Sequence, residues 1–167
     1  MKKILLLSDT HSHIDDRILA YAKEADEIWH AGDIGNLEVT DQLAEHKKVR
    51  AVYGNIDGKD ARVSFPENLF FTCEGVQIFM THIAGAAGKY TARVQKLLAE
   101  NKVDVLVCGH SHILKVMQLK NRQLLHLNPG AAGIHGFHQM RTMLRFEVGK
   151  GRLHNMEVIE LGKRGKL

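Results

Sequence analysis

Cysteine is scarce in this chain of 167 residues, and no apolar run approaches the length of a membrane span. The two cysteines, Cys73 and Cys108, both sit in apolar runs, which excludes a disulfide framework and favours a reducing, cytoplasmic compartment. The opening run Ile4–Leu7 ends at Ser8, Asp9 and His11, too early for the apolar region of a signal peptide. A transmembrane helix needs about 18 apolar residues in a row, and none is present. Charge of one sign is also weakly represented: 23 basic residues face 19 acidic ones, a net of +4 without clustering. Ordinary solubility accounts for that excess, and a nucleic-acid footprint would need the basic residues on one face. A hydrophobic fraction of 44% with 25% charged residues excludes disorder, collagen and coiled coil. What the chain does have is histidine, 11 in all, several beside Asp, Asn or Gly at apparent turns.

One domain is expected over residues 1–161, with a basic, Gly-containing tail over 162–167 that frays. The first half alternates as strand and helix. Buried strands are expected at Lys3–Ser8, Glu27–His30 and Val49–Tyr53, with helices over Asp15–Ala25 and Leu37–His46. A hairpin follows, Leu69–Cys73 and Val76–Thr81 about Glu74-Gly75. Then come a third helix over Tyr90–Asn101 and a buried strand over Asp104–Cys108. Antiparallel pairs end the chain: Leu114–Leu119 with Gln123–Leu127, and Arg141–Val148 with Leu153–Leu161. Phe70, Phe71, Phe79 and the single Trp29 read as core. The fold class is α/β, with two packed sheets and helices outside.

Five short elements carry chemistry: Asp9-Thr10-His11, Gly32-Asp33, Gly54-Asn55, His82, and Gly109-His110-Ser111-His112. Each follows an apolar run by a few residues, so each delivers a polar side chain at the end of a strand, where Gly permits a tight turn. Together they supply two carboxylates, one amide oxygen and four imidazoles. Oxygen and nitrogen donors without thiolate suit Mn, Fe, Zn, Co or Ni, and not a Cys-rich structural zinc. The set exceeds the needs of one ion and fits two divalent cations if a carboxylate bridges them. Such a pair, about 3.5–4 Å apart, suits a phosphate ester.

The order Asp-x-His, Gly-Asp, Gly-Asn, His, Gly-His-x-His resembles the calcineurin-like metallophosphoesterases. It is most similar to their small single-domain bacterial and archaeal phosphodiesterases, a branch like the eukaryotic sorting scaffold Vps29. Asn128-Pro129-Gly130 extends the likeness. The resemblance implies a four-layer αββα sandwich of two mixed sheets flanked by helices. It implies that Asp9, His11, Asp33 and His112 hold one metal and that Asp33, Asn55, His82 and His110 hold the other. It implies Asp33, Asn55 and His82 as catalytic, a metal-bridging hydroxide as nucleophile, and manganese first among the metals named. The expected partner is a small phosphodiester, with no stable nucleic-acid partner, no membrane, and homo-oligomerisation left open.

Three departures bear on substrate. Relatives often read Gly-Asn-His where this chain has Gly54-Asn55-Ile56, so the proton donor to the leaving group is missing. His82-Ile83-Ala84 replaces His-Gly-His, and Ala131 stands where Ser is usual. His13, Asp57 and His138 are the candidate substrate contacts, Asp57 reading equally well as a ligand-orienting group or a turn cap. His135 and His138, in a Gly-rich loop, are candidate proton sources. Gly85, Gly88 and Lys89 form a flexible stretch that reads as a lid or an ordinary loop. A phosphomonoesterase and a Vps29-like scaffold are the rival functions; a nuclease on long DNA would need a basic cleft or an added capping domain, and 167 residues leave little room for the latter.

Overall fold

The computed structural model describes residues 1–165. The first sheet contains β1 (Lys2–Leu7), β2 (Glu27–His30), β3 (Lys48–Ala51), β11 (Met140–Gly149) and β12 (Arg152–Lys163), in the order β12-β11-β1-β2-β3. The second contains β4 (Asn68–Cys73), β5 (Val76–Thr81), β8 (Val105–Val107), β9 (Leu114–Leu119) and β10 (Leu124–Pro129), in the order β4-β5-β8-β10-β9. Both are mixed: β1, β2 and β3 run parallel, as do β5, β8 and β10, and antiparallel strands complete each sheet. A small antiparallel hairpin joins β6 (Gly85–Ala86) to β7 (Lys89–Tyr90).

Three apolar layers separate four layers of structure. Alternation along β1 sends Ile4 and Leu6 between the sheets, against Ile78, Met80, Val105 and Val107. Leu5 and Leu7 face the other way, onto α1 (Asp16–Glu24) and α2 (Glu38–Ala44) through Ile18, Ala22, Val39 and Leu43. Phe79 and Leu106 cover the outer face of the second sheet, under Val94 of α4 (Ala92–Glu100). A strand buried on both faces reads as an unbroken apolar run, which is why β1 is evident in the sequence. The helices start where capping directs them. Asp15 accepts from the Ile18 N–H at 3.0 Å, and Thr91 from the Val94 N–H at 3.3 Å. Glu74 and Gly75 have φ of 47° and 82°, the positive values that a tight two-residue hairpin turn requires.

The αββα sandwich agrees with the sequence reading, and four details differ. A short helix, α3 (Lys59–Ser64), was not expected; it has no side-chain cap and buries only Ala61, so it left no periodic signal. Residues 85–90 form the β6–β7 hairpin in place of a structureless stretch. Phe70 is 39% exposed on edge strand β4 and stacks on Phe79 at 4.4 Å. β12 continues to Lys163, with Gly162 opposite Arg141, and Arg164 Nε donates to the His138 carbonyl. The chain is therefore tied down beyond the expected boundary at 161; Lys166 and Leu167 lie outside the described residues.

Strands β1, β2 and β3 of the first sheet and β5 and β8 of the second bring their carboxyl ends to one rim. Ligand sites in open α/β sheets lie at such ends.

Candidate metal centre

The rim gathers all seven residues expected as ligands. Asp9 and His11 follow β1, Asp33 follows β2, Asn55 follows β3, His82 follows β5, and His110 and His112 follow β8. Two groups of donor atoms form there, Asp9 with His11 and His112, and Asp33 with His82 and His110, each within 4.8 Å. Asn55 Oδ1 lies 2.9 Å from His110 Nδ1.

Each carboxylate is anchored by one oxygen and free at the other. Asp9 Oδ2 accepts from Ser8 Oγ at 2.7 Å and from the His110 N–H at 3.1 Å. Asp33 Oδ1 accepts from the Ile56 N–H at 3.1 Å. The second oxygens face imidazoles. Asp33 Oδ2 lies 3.4 Å from His11 Nε2 and 3.2 Å from His82 Nε2, between the two groups, where a bridging ligand would sit. Asp9 Oδ1 lies 3.3 Å from His112 Nε2.

Hydrogen bonds on the far side of the rings fix their orientation. His82 Nδ1 donates to the Ala31 carbonyl at 2.7 Å, which turns Nε2 inward. His138 Nε2 donates to the Gly133 carbonyl at 2.8 Å, so its Nδ1 accepts from His112 Nδ1 at 3.2 Å, and His112 Nε2 is left as a donor to metal. Asp9 Oδ1, His11 Nε2 and His82 Nε2 are buried without a hydrogen-bond partner. Buried polar atoms without partners are rare, and this set has the donor chemistry of divalent cations with mixed O and N ligands. The candidacy of these groups for metal therefore rests on the atoms themselves.

The electrostatics agree. Burial opposes ionisation of Asp33, but His11 and His82 beside it hold its carboxyl far below the usual carboxylate range. The Asp33 carboxylate raises His11, helped by the charge of Asp9. Burial pushes His82 down, yet Asp33 and Asp9 lift it to a net increase. Below the rim, His30 is fully buried, with Nε2 3.0 Å from Thr10 Oγ1, and burial lowers its pKa to about 4.

Backbone geometry contributes as well. Asp9, His11, Asp33, His110 and His112 all have φ between 44° and 73°, a region that costs a non-glycine residue roughly 1–3 kcal/mol. Glycines permit the close packing behind them: a Cβ on Gly109 would stand 2.1 Å from Ser8 Oγ and 2.8 Å from Asp9 Oδ2.

The three candidate substrate contacts fall elsewhere. Asp57 is buried, and its carboxylate accepts from the N–H groups of Gly54, Ile34 and Gly35 at 2.7, 3.1 and 2.8 Å. It caps the turn and ties the Asn55 loop to the Asp33 loop. His13 pairs with Asp15 at 2.8 Å. His138 supports His112 from behind. His135 lies at the rim, its ring 4.9 Å from that of His11. Sequence reasoning did not identify Ser8, nor the role of Asn128, whose Nδ2 donates to the Gly109 carbonyl and to Ser111 Oγ, both at 3.1 Å. A small hydroxyl beside a ligand and an amide in a turn carry no pattern of their own.

A family model of the calcineurin-like phosphoesterase superfamily domain matches residues 1–151. The chain belongs to this superfamily. Among similar proteins, a probable metallophosphoesterase of Mycoplasma pneumoniae is 31% identical over 163 residues, 93% of this chain and 96% of the relative. Two solved structures share the fold. An archaeal phosphodiesterase aligns with a TM-score of 0.72 at 20% identity, over 95% of this chain and 99% of its own. Vps29 of Entamoeba histolytica, complexed with zinc, aligns with a TM-score of 0.71 at 17% identity, over 95% and 98%. This calcineurin-like phosphoesterase thus comes from a metal-dependent family and carries two candidate metal-binding groups.

Two outcomes follow from the geometry. Gly109→Ala, by displacing Asp9, is expected to weaken binding of divalent metal by about 10–100-fold in calorimetric titration; unchanged affinity would show that Asp9 has no part in it. Metal must displace the protons that Asp33 draws onto His11 and His82, so affinity is expected to rise with pH. Titrations in buffers of different ionisation enthalpy should show more protons released near pH 6.5 than about two units higher. Equal release at both would remove His11 and His82 from the ligand set.

Proposed function

We propose that this protein is a metal-dependent phosphodiesterase acting on a small phosphodiester. The observation that carries this is the pair of donor groups side by side, with Asp33 Oδ2 facing both. Two divalent cations, manganese first and Ni, Fe, Zn or Co as alternatives, would be held by Asp9, His11, Asp33 and His112 and by Asp33, Asn55, His82 and His110. Such cations supply Lewis acidity to phosphoryl oxygens and make water acidic enough to attack near neutral pH.

The chain's own residues do the rest. Asp33 sets the spacing of the two groups. His82, locked by Ala31, and Asn55, against His110, define the side from which a phosphoryl group approaches. Two cavities adjoin the centre. One of about 370 Å³ reaches from Asn55 and His82 to Arg62 and Arg93; another of about 450 Å³ begins at His110. Room for two substituents beside the centre supports a diester over a monoester. No proton donor stands at Ile56, which is 47% exposed, so the leaving group departs without help from that position.

A phosphomonoesterase remains the nearest alternative. The non-catalytic scaffold reading draws on the Vps29 fold; the complete donor set favours an enzyme. Two free, buried thiols suit a reducing, cytoplasmic setting.

The test compares bis-p-nitrophenyl phosphate with p-nitrophenyl phosphate at saturating metal. Faster diester turnover is expected, with Asp33→Asn lowering it by about 100-fold or more in a folded protein; faster monoester turnover overturns the diester reading, and near-normal turnover by Asp33→Asn overturns the role of Asp33. Installing a proton donor by Ile56→His should raise turnover of esters with poor leaving groups by about 10-fold or more, and of good ones far less. Equal gains on both would place the missing donor elsewhere.

A further inference from the structure

We infer that the cavity beginning at His110 binds a flat aromatic substituent of the ester, one with hydrogen-bond acceptors at its edge; this rests on the phosphodiesterase reading and names one half of its substrate. The cavity, of about 450 Å³, is lined by the short side chains of residues 84–87 and by the side chains of Ile113 and Met117. Ile113 is 65% exposed and Met117 36%, beside a highly polar centre. Apolar side chains in a concave site are what a ligand buries to gain affinity. Small residues in the lining allow a ring to lie close to the backbone, and the methionine thioether adapts to aromatic faces.

Most of the polar atoms in the lining are already used. His126 Nδ1 lies 2.8 Å from the Tyr90 hydroxyl and its Nε2 3.6 Å from Cys108 Sγ. Asn128 Oδ1 accepts from the Gly130 N–H, and its Nδ2 donates to Gly109 and Ser111. Ser111 Oγ accepts from Asn128 Nδ2 and from the Ile113 N–H, both at 3.1 Å. Both lone pairs being taken, its hydrogen is left to donate to a ligand. Lys115 is the charged side chain on the lining. The site thus presents apolar walls with one hydroxyl donor and one ammonium at the edge, complementary to a ring carrying oxygen or nitrogen acceptors. Gly109, His110 and Ser111 line the cavity, and His110 belongs to a metal-binding group, so a ring seated here is within reach of a phosphorus at the centre. The cavity lined by Arg62 and Arg93 has the opposite character.

The test uses two phosphodiester monoanions that differ by one ring, methyl phenyl phosphate and dimethyl phosphate. Both are titrated into manganese-loaded protein by calorimetry, with wild type, Ala86→Phe and Met117→Ser compared after circular dichroism confirms folding. Ala86 is exposed, so the added ring fills the slot without repacking the core. Wild type is expected to prefer the phenyl ester by about 10-fold, and each variant to reduce that ratio to about 2-fold or less. A ratio unchanged in both variants, or no preference in wild type, overturns the assignment. Hydrolysis of bis-p-nitrophenyl phosphate by the same wild-type sample separates the two readings. Turnover with an unchanged ratio overturns the cavity alone; a variant-sensitive ratio without turnover supports the aryl site and overturns the enzyme.

Discussion

Two carboxylate oxygens and three imidazole nitrogens point at one another across about 3–4 Å at the rim of the two sheets, in a space closed to backbone donors. Like partial charges so close are unfavourable unless something positive joins them. Protons on His11 and His82 are one answer, and divalent cations are a stronger one. The remainder of the site follows from holding these atoms together. Ser8 and the His110 amide fix Asp9, the Ile56 amide fixes Asp33, Ala31 orients His82, and His138 orients His112.

Assembly of such a cluster needs a rigid frame, and the three apolar layers supply it. Five strands of two different sheets end together only because both sheets are pinned against each other and against helices on their outer faces. The left-handed backbone at five of the site residues is the local counterpart: conformations that the chain would abandon in isolation persist where the surroundings over-determine them.

Much of this was legible in the amino-acid order. β1, β2 and β8 are buried on both faces and read as apolar runs, and each is followed within a few residues by a ligand type. The seven donors could be named because the chemistry sits where regular structure stops. Other features had no such signature. α3 buries a single alanine, and Ser8 is an ordinary hydroxyl until its neighbour is known to need a donor. Asp57 was open between two readings, since a carboxylate in a turn can orient a histidine or collect amides; only its three backbone partners decide. Positive φ at Asp9 or His112 is invisible in sequence because it arises from the loop's closure and not from the residue.

Trp29 is the single tryptophan, fully buried between the sheets, with its indole N–H on Glu27 at 3.0 Å and its ring edge-on to Phe71 of one sheet and Phe146 of the other. The molecule therefore carries one indole fluorophore, and it is placed at the seam. Its emission should report whether the two halves of the sandwich are joined, and stay largely blind to what occupies the rim, so optical melting of this protein measures cohesion of the frame.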